Sequence, residues 1–446
     1  MKISKYTIFF QKENNEYYIY NTLSNALIEI DGDLYIYLKN IKNTNSEINN
    51  KDVDEDILEL LKTKKIIIEN DIDNFLYYKS TIIRQRANSS HMHLTIAPTM
   101  DCCFNCNYCF EQYKTKSYMS EETMDSIIKY LKSLNVNPDF NITWFGGEPL
   151  MAIEQMHAFY KKLATQFKRP LSSNVITTGY HINSDVISIL KDIGVSQVQI
   201  TLDGLKETHN TIKANSECDD VFERVINNAE LLLKESDIHV IFRINLTKNN
   251  SHEYLELYSF LFERFKNFKN KGIAPAFVMD RGGSISKSDH DKCFTSNEMA
   301  SFVLDLYNKH GIHSPFLSYP SKYFRECAIR NVASISFDPE GFAYKCWELI
   351  GNKKYAIGKL DNNGILTSVN EKLLNRFMYG ADPLDDSKCS KCIYLPICNG
   401  GCPIQRLENV FEKKSNDCCV MYKNHLKDFL KIHLDLKSKG IENKFD

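Results

Sequence analysis

Thr99-Met-Asp-Cys-Cys-Phe-Asn-Cys-Asn-Tyr-Cys-Phe110 follows the apolar run Leu94-Thr-Ile-Ala97 and sets Cys102, Cys106 and Cys109 in a C-x3-C-x2-C triplet. Three thiolates so spaced can hold three corners of a cubic iron–sulfur cluster and leave the remaining iron open to a small molecule. The alternative is a zinc knuckle or a buried group of reduced thiols. Zinc asks for four closed ligands, commonly in C-x2-C pairs, and no His stands within a few residues after Cys109 to complete such a set.

Outward from the triplet the chain alternates strand and helix. Apolar strands read at 94–97, 141–145, 174–178, 197–202, 239–245 and 274–278, with helical segments near 119–134, 150–169, 184–193, 219–234, 251–267 and 296–310. This alternation predicts an α/β fold with a parallel sheet. Six units are too few to close an eight-stranded barrel, so an open, partial (β/α)6 barrel is expected. Functional loops leave the C-terminal strand ends in such architectures, and the triplet lies just past the first strand.

Further motifs fall at the same end. Trp144-Phe-Gly-Gly-Glu-Pro149 ends the second strand with paired glycines that admit close backbone approach. Thr177-Thr-Gly179 closes the third strand, and Thr201-Leu-Asp-Gly204 the fourth, followed by His209-Asn-Thr-Ile-Lys213. Arg243 and Asn245 share one face of the fifth strand, toward the interior, with structural ion pairing as the alternative for the arginine. Asp280-Arg281-Gly-Gly283, after the sixth strand, reads as a turn.

The triplet, with aromatic Tyr108 before its last cysteine and the Gly146-Gly147-Glu148 motif downstream, resembles the signature of the radical S-adenosylmethionine (SAM) superfamily. The resemblance implies a [4Fe–4S] cluster on Cys102, Cys106 and Cys109 whose open iron binds SAM, which is cleaved reductively to the 5′-deoxyadenosyl radical. It also implies that Gly146, Gly147 and Glu148 meet the SAM amino group. Thr178 stands where relatives often carry Asn, and Asp203 belongs to the family's S-x-D-G turn. Lys213 stands where relatives place an Arg that pairs with the SAM carboxylate, and Lys supplies the charge without the bidentate fork. Tyr108, Arg243 and Asn245 complete the expected SAM-facing set.

A second cysteine system runs Cys327-x13-Gly341-x4-Cys346, then Cys389-x2-Cys392-x5-Cys398-x3-Cys402, then Cys418-Cys419. It resembles the SPASM extension of radical SAM enzymes that modify peptides and proteins. The resemblance implies two auxiliary [4Fe–4S] clusters, one on Cys327, Cys346 and Cys402, the other on Cys389, Cys392, Cys398 and Cys419. Cys419 is preferred to Cys418 because relatives tend to place an aromatic three residues after the ligand, as Tyr422 is here. Cys293 is a distant candidate for the first cluster, although it reads, with Cys103 and Cys218, as a structural thiol. A zinc ribbon on Cys389, Cys392, Cys398 and Cys402 is the alternative.

Residues 1–88 contain no cysteine. A strand Tyr6–Phe10, a turn Lys12–Asn15, a returning strand Tyr17–Tyr20, a helix around Asp33–Leu38, a helix Asp54–Lys62 and a strand Lys65–Ile68 are expected. This order resembles the winged-helix peptide-recognition domains similar to the pyrroloquinoline-biosynthesis D protein; a cap without a ligand is the alternative. Three domains are thus expected: 1–88 for leader-peptide recognition, 89–310 for the barrel and 311–446 for the auxiliary clusters. From Tyr422 onward a Lys-rich amphipathic helix reads as a cap.

At 446 residues and a net charge of −2 the chain has ample length for a core and no electrostatic footprint for nucleic acid. No run approaches the roughly 20 apolar residues of a membrane span, and no export signal is evident, so a cytoplasmic location is expected, with thiols reduced. Open-site clusters are oxygen-sensitive, which points to anaerobic life. The whole resembles a radical SAM/SPASM peptide maturase, acting on a ribosomal precursor peptide and forming a thioether or other crosslink, with an electron donor such as flavodoxin or ferredoxin. One alternative is an anaerobic sulfatase-maturing enzyme, whose relatives carry an acidic residue straight after the equivalent of Cys346, where this chain has Trp347 and then Glu348. Another is a colourless zinc-binding peptide adaptor. No catalytic acid or base stands out.

Overall fold

The aromatic-rich amino terminus forms strands, as its β-propensity favours. They are β1 (Lys2–Ile3), β2 (Thr7–Gln11), β3 (Tyr17–Asn21) and β4 (Ala26–Ile30). β2, β3 and β4 form an antiparallel meander in which Phe9 faces Ile19 and Ile19 faces Ile28. The carboxylates of Asp31 and Asp54 cap α1 (Gly32–Thr44) and α2 (Glu55–Thr63), each accepting from first-turn N–H groups. β5 (Ile67–Ile68) returns to pair with β1, and α3 (Asn74–Arg86) follows. β4 and α3 lie outside the expected order. Ala26-Leu-Ile-Glu-Ile30 alternates too briefly to stand out, and α3 buries only a narrow stripe through Tyr78, Ile82 and Arg86.

This computed structural model describes the chain except residues 50, 107, 110–114, 135–137, 168–170, 216, 280–291, 315–318, 321–326 and 442–446. It divides into two compact units. The terminal unit joins Met1–Arg86 to Thr295–Glu326 and Ala381–Asp446; the barrel unit comprises Ala87–Phe294 and Cys327–Gly380.

Within the terminal unit, the amino-terminal segment is tied into each interval between Cys389 and Cys402. Lys5 Nζ donates to Ser390 O (3.1 Å), between Cys389 and Cys392. Thr22 Oγ1 donates to Ile393 O (2.6 Å) and Tyr78 OH to Leu395 O (3.3 Å), between Cys392 and Cys398. Tyr78 OH also bonds Asn399, between Cys398 and Cys402. Tyr6, Leu23, Tyr78 and Ile82 share a core with Leu384 and Leu395. The expected carboxyl-terminal helix, Leu426–Ser438, buries Phe429, Leu430 and Leu436, and Asp435 bonds Tyr307 of the helix Ser296–His310.

In the barrel unit, β6 (His91–Ile96), β7 (Asp139–Trp144), β8 (Leu171–Thr177), β9 (Val195–Leu202), β10 (His239–Leu246) and β11 (Lys271–Phe277) lie parallel in that order. The crossover helices bury one face each; the helix Val221–Glu235 buries Val225, Ala229, Leu232 and Leu233. Ser120, Asn183 and Asp220 cap three of the helices. Beyond β6 the sheet continues through β12 (Ser334–Phe337), parallel to it, and antiparallel β13 (Phe342–Tyr344), β14 (Gly358–Leu360) and β15 (Leu366–Thr367). β12 was not expected: its four residues are all buried, but two are serines and the apolar signal is lost.

Arg86 and Asp382, each 8% exposed, form a two-pronged ion pair in the terminal unit, with Nη2 2.9 Å from Oδ1. Removing one partner strands the other charge, which costs about 3–5 kcal/mol. Arg86→Met is expected to lower the unfolding free energy by that amount in anaerobic urea denaturation, and unchanged stability would show the pair contributes nothing.

Candidate functional site

The loop that leaves β6 is clamped before it reaches the cysteines. Thr99 bridges Tyr118, and Met100 N donates to Ser117 O (3.1 Å). The Gly146-Gly147 turn after β7 lies against it: Gly147 N donates to Thr99 O (3.2 Å) and Glu148 N to Asp101 O (2.8 Å). A Cβ on Gly146, whose φ is +120°, would fall 2.3 Å from Thr99 O, and one on Gly147 would fall 2.1 Å from Asp101 O. The paired glycines therefore serve a contact within the chain, in addition to any approach to a ligand.

At the C-terminal strand ends a pocket opens, lined by Cys102, Cys106 and Cys109. Of the residues expected to face SAM, Tyr108, Gly146, Gly147, Thr178, Lys213, Arg243 and Asn245 also line it. Glu148 and Asp203 lie behind the wall, each 0% exposed.

Glu148 is saturated by the chain itself. It accepts from Thr177 Oγ1 (2.6 Å), Thr178 N (2.8 Å), Thr178 Oγ1 (2.6 Å) and Leu150 N (3.1 Å). The carboxylate joins the ends of β7 and β8 and caps the turn at Pro149–Ala152. Thr178, where relatives often carry Asn, spends its hydroxyl on this bond.

Asp203 gathers donors from three separate segments. It pairs with Lys213, accepts from the Tyr108 hydroxyl within the cysteine loop, and accepts from Asn245 Nδ2 (3.2 Å) at the end of β10. Asn245 also donates to Tyr108 OH (3.1 Å), and Arg243 Nε to Asn245 Oδ1 (3.2 Å). Burial works against charge on Asp203, but Lys213 beside it holds its carboxyl below the usual range. Burial likewise opposes charge on Lys213, yet the Asp203 carboxylate leaves its pKa raised. His209 is pushed down to about 3 by burial and then by Lys213, so it is neutral, accepting from Asp203 N at 3.3 Å. Burial, then Asp203, raises the Tyr108 phenol well above its ordinary value.

Gln199, Phe277 and Met279 line the pocket without having been candidates, and Trp347 and Glu348, noted only for their place after Cys346, line it too. Gln199 and Thr201 alternate with buried Val198, Ile200 and Leu202, and that two-residue period on a strand covered by helices was the available signal. Trp347 stacks edge-on to Phe145, ring centroids 4.8 Å apart. No local pattern announces that contact. Asp280-Arg281-Gly-Gly283 lies outside the described residues.

The second cysteine system is distributed between the units. Cys327 and Cys346 belong to the barrel unit, and Cys389, Cys392, Cys398, Cys402, Cys418 and Cys419 to the terminal unit. In the latter, Cys389, Cys392, Cys398, Cys418 and Cys419 line a pocket with Arg406 and Lys423. Among the described residues, no three His, Cys, Asp or Glu side chains close on a single ion. A cubane takes one thiolate per iron corner, a wider arrangement than a mononuclear site.

Residues 96–261 match the family model for the radical SAM superfamily, so the chain carries a radical SAM domain, with the SAM and iron–sulfur character of that family. Among curated relatives, the radical SAM cyclopropyl synthase TigE of Paramaledivibacter caminithermalis is 22% identical over 94% of this chain and 94% of its own. A cysteine-type anaerobic sulfatase-maturating enzyme of Clostridium novyi is 23% identical over 71% of this chain and 88% of its own. Among solved structures, anSMEcpe with bound AdoMet and Cp18Cys peptide aligns with TM-score 0.56 and 19% identity, covering 79% of this chain and 99% of that one. Streptococcus suis SuiB bound to S-adenosylmethionine aligns with TM-score 0.52 and 16% identity, covering 94% and 100%. These structures share the α/β fold. Among the described residues, no helix is long and apolar enough to cross a membrane.

Two outcomes follow from the geometry. Gly147→Ala must displace the Asp101 carbonyl, so it is expected to lose the iron held by the triplet, read by iron analysis after anaerobic purification; full iron retention would contradict the clamp. Lys213→Met strands the Asp203 charge at about 3–5 kcal/mol, and adding Asp203→Asn should restore part of that loss. Because the folded pKa of Asp203 is depressed, its stabilisation is present above the ordinary Asp range and lost as pH falls through the folded value. In Lys213→Met that acid-side loss should shrink, and an unchanged stability profile between pH 3 and 6 would refute the pairing.

Proposed function

We propose that this protein is a radical SAM peptide maturase. The observation that carries the reading is the convergence of Cys102, Cys106 and Cys109 with Gly146, Gly147, Lys213, Arg243 and Asn245 on one pocket at the strand ends. The three thiols suit a [4Fe–4S] cluster with one open iron, which supplies the electron that cleaves bound SAM to a carbon radical. Lys213 and Arg243 bring positive charge to the wall for a carboxylate. The backbone of Gly146 and Gly147 leaves room for an amino group, and Phe104, Phe145 and Trp347 give an apolar flank that excludes water from the reacting end.

The substrate we favour is a ribosomally made precursor peptide, from which a hydrogen atom is abstracted before a thioether or other crosslink closes. The peptide bound to anSMEcpe, whose fold this chain shares, supports it. The meander β2–β3–β4 has two edge strands on which an extended leader can add as a further strand. Auxiliary clusters on Cys327, Cys346 and Cys402, and on Cys389, Cys392, Cys398 and Cys419, belong to this reading. So do a flavodoxin or ferredoxin donor and a cytoplasmic setting. A second reading, formylglycine formation, draws support from the sulfatase-maturating relative and from Glu348 on the pocket wall.

Replacing Cys102, Cys106 and Cys109 together by Ala is expected to abolish 5′-deoxyadenosine formation and to reduce about twelve irons to about eight. Retained cleavage would overturn the reading. Mass spectrometry of a precursor peptide encoded beside the gene separates the two products: a crosslink removes hydrogen and keeps every sulfur, whereas formylglycine from cysteine loses the sulfur.

A further inference from the structure

Two cations face sulfur at the pocket of the terminal unit, Arg406 in a part-buried contact and Lys423 in an exposed one. Arg406, on the helix Pro403–Phe411 and only 9% exposed, places Nη1 3.4 Å from Cys389 Sγ. Its guanidinium is held there by Asp386 Oδ2 at Nη2 (3.0 Å) and by Ala381 O at Nε (2.8 Å). Lys423 Nζ lies 3.2 Å from Cys419 Sγ. The neighbouring sulfur is treated differently: Cys418 Sγ accepts from Asn409 Nδ2 (3.5 Å) and donates to Asn416 O (3.7 Å). The two cations thus lie at Cys389 and Cys419, whereas Cys418 between them meets amide groups.

We propose that Arg406 and Lys423 raise the reduction potential of the iron–sulfur cluster held by Cys389, Cys392, Cys398 and Cys419. The proposal rests on the reading of these four cysteines as a cluster site. A four-iron cluster on four thiolates is anionic and gains negative charge on reduction. N–H groups that donate to its sulfurs, and positive charge beside them, therefore favour the reduced state. Asp386 offsets part of the Arg406 charge, and Asp417 lies beside Cys419 and Lys423, so Arg406 contributes a directed, part-buried hydrogen bond and Lys423 a more exposed charge. Both are positioning residues, since neither replaces a ligand.

The test is a redox titration followed by electron paramagnetic resonance, in protein whose Cys102, Cys106 and Cys109 are Ala so that only auxiliary signals remain. Lys423→Gln is expected to lower the equilibrium constant for reducing one signal about tenfold, a shift of about 59 mV to more negative potential for one electron. Lys423→Arg should stay near the parent. Full iron with an unmoved potential in Lys423→Gln overturns the proposal. Should that variant lose iron, Arg406→Lys carries the test: it keeps the charge but loses the fork, and an unmoved potential there is equally fatal. A parent that holds zinc, or no iron at these cysteines, overturns the underlying cluster reading as well, so iron content separates the two failures.

Discussion

A single buried carboxylate holds the mouth of the barrel together. Asp203 is inaccessible to solvent, and its charge is tolerated because Lys213, ten residues on, and the sequence-distant Tyr108 and Asn245 converge on it. Tyr108 sits between Cys106 and Cys109, so the ion pair behind the wall also decides where the cysteine loop lies. Lys213 is consequently a shared charge. Lys213 lines the pocket while its partner is behind the wall. Any anion in the pocket meets a cation already partly neutralised, and Arg243 supplies the second positive group.

Glu148 performs the corresponding task one strand away. Its four donors stitch the end of β7 to Thr177 and Thr178 at the end of β8, while its own N–H is given to Asp101 in the cysteine loop. Together with the Cβ-free approach of Gly146 and Gly147, this makes the Gly-Gly-Glu turn the surface on which the triplet loop is moulded. Charge on Glu148 is balanced by hydrogen bonds, and charge on Asp203 by a counter-ion. Both are ways of keeping a carboxylate in a dry interior.

The terminal unit shows the same economy of design in a different form. The cysteine run has little regular structure of its own, and short irregular segments are held by outside partners. Here Lys5, Thr22 and Tyr78 reach the carbonyls and the Asn399 side chain between successive cysteines. The amino-terminal strands and helices are thus part of the scaffold of the cysteine pocket, whatever peptide they also receive.

Much of the architecture was legible in the residues themselves. The six barrel strands and their helices follow from hydrophobic periodicity, which is local, and the triplet announces iron–sulfur chemistry because ligand spacing is a property of the chain. The two carboxylates were legible as motif members, but their role was not: whether Glu148 and Asp203 face a ligand or sit behind the wall depends on donors supplied by Thr177, Lys213, Tyr108 and Asn245. Likewise β12 and the pocket positions of Gln199, Phe277 and Glu348 depend on which strand lies beside which. Sequence by itself determined the periodic elements and the candidate ligands, because periodicity and spacing are short-range. Tertiary structure alone decided burial, charge pairing and the tie between the amino-terminal segment and the cysteine run, because those energies arise between residues that meet only when the chain is folded.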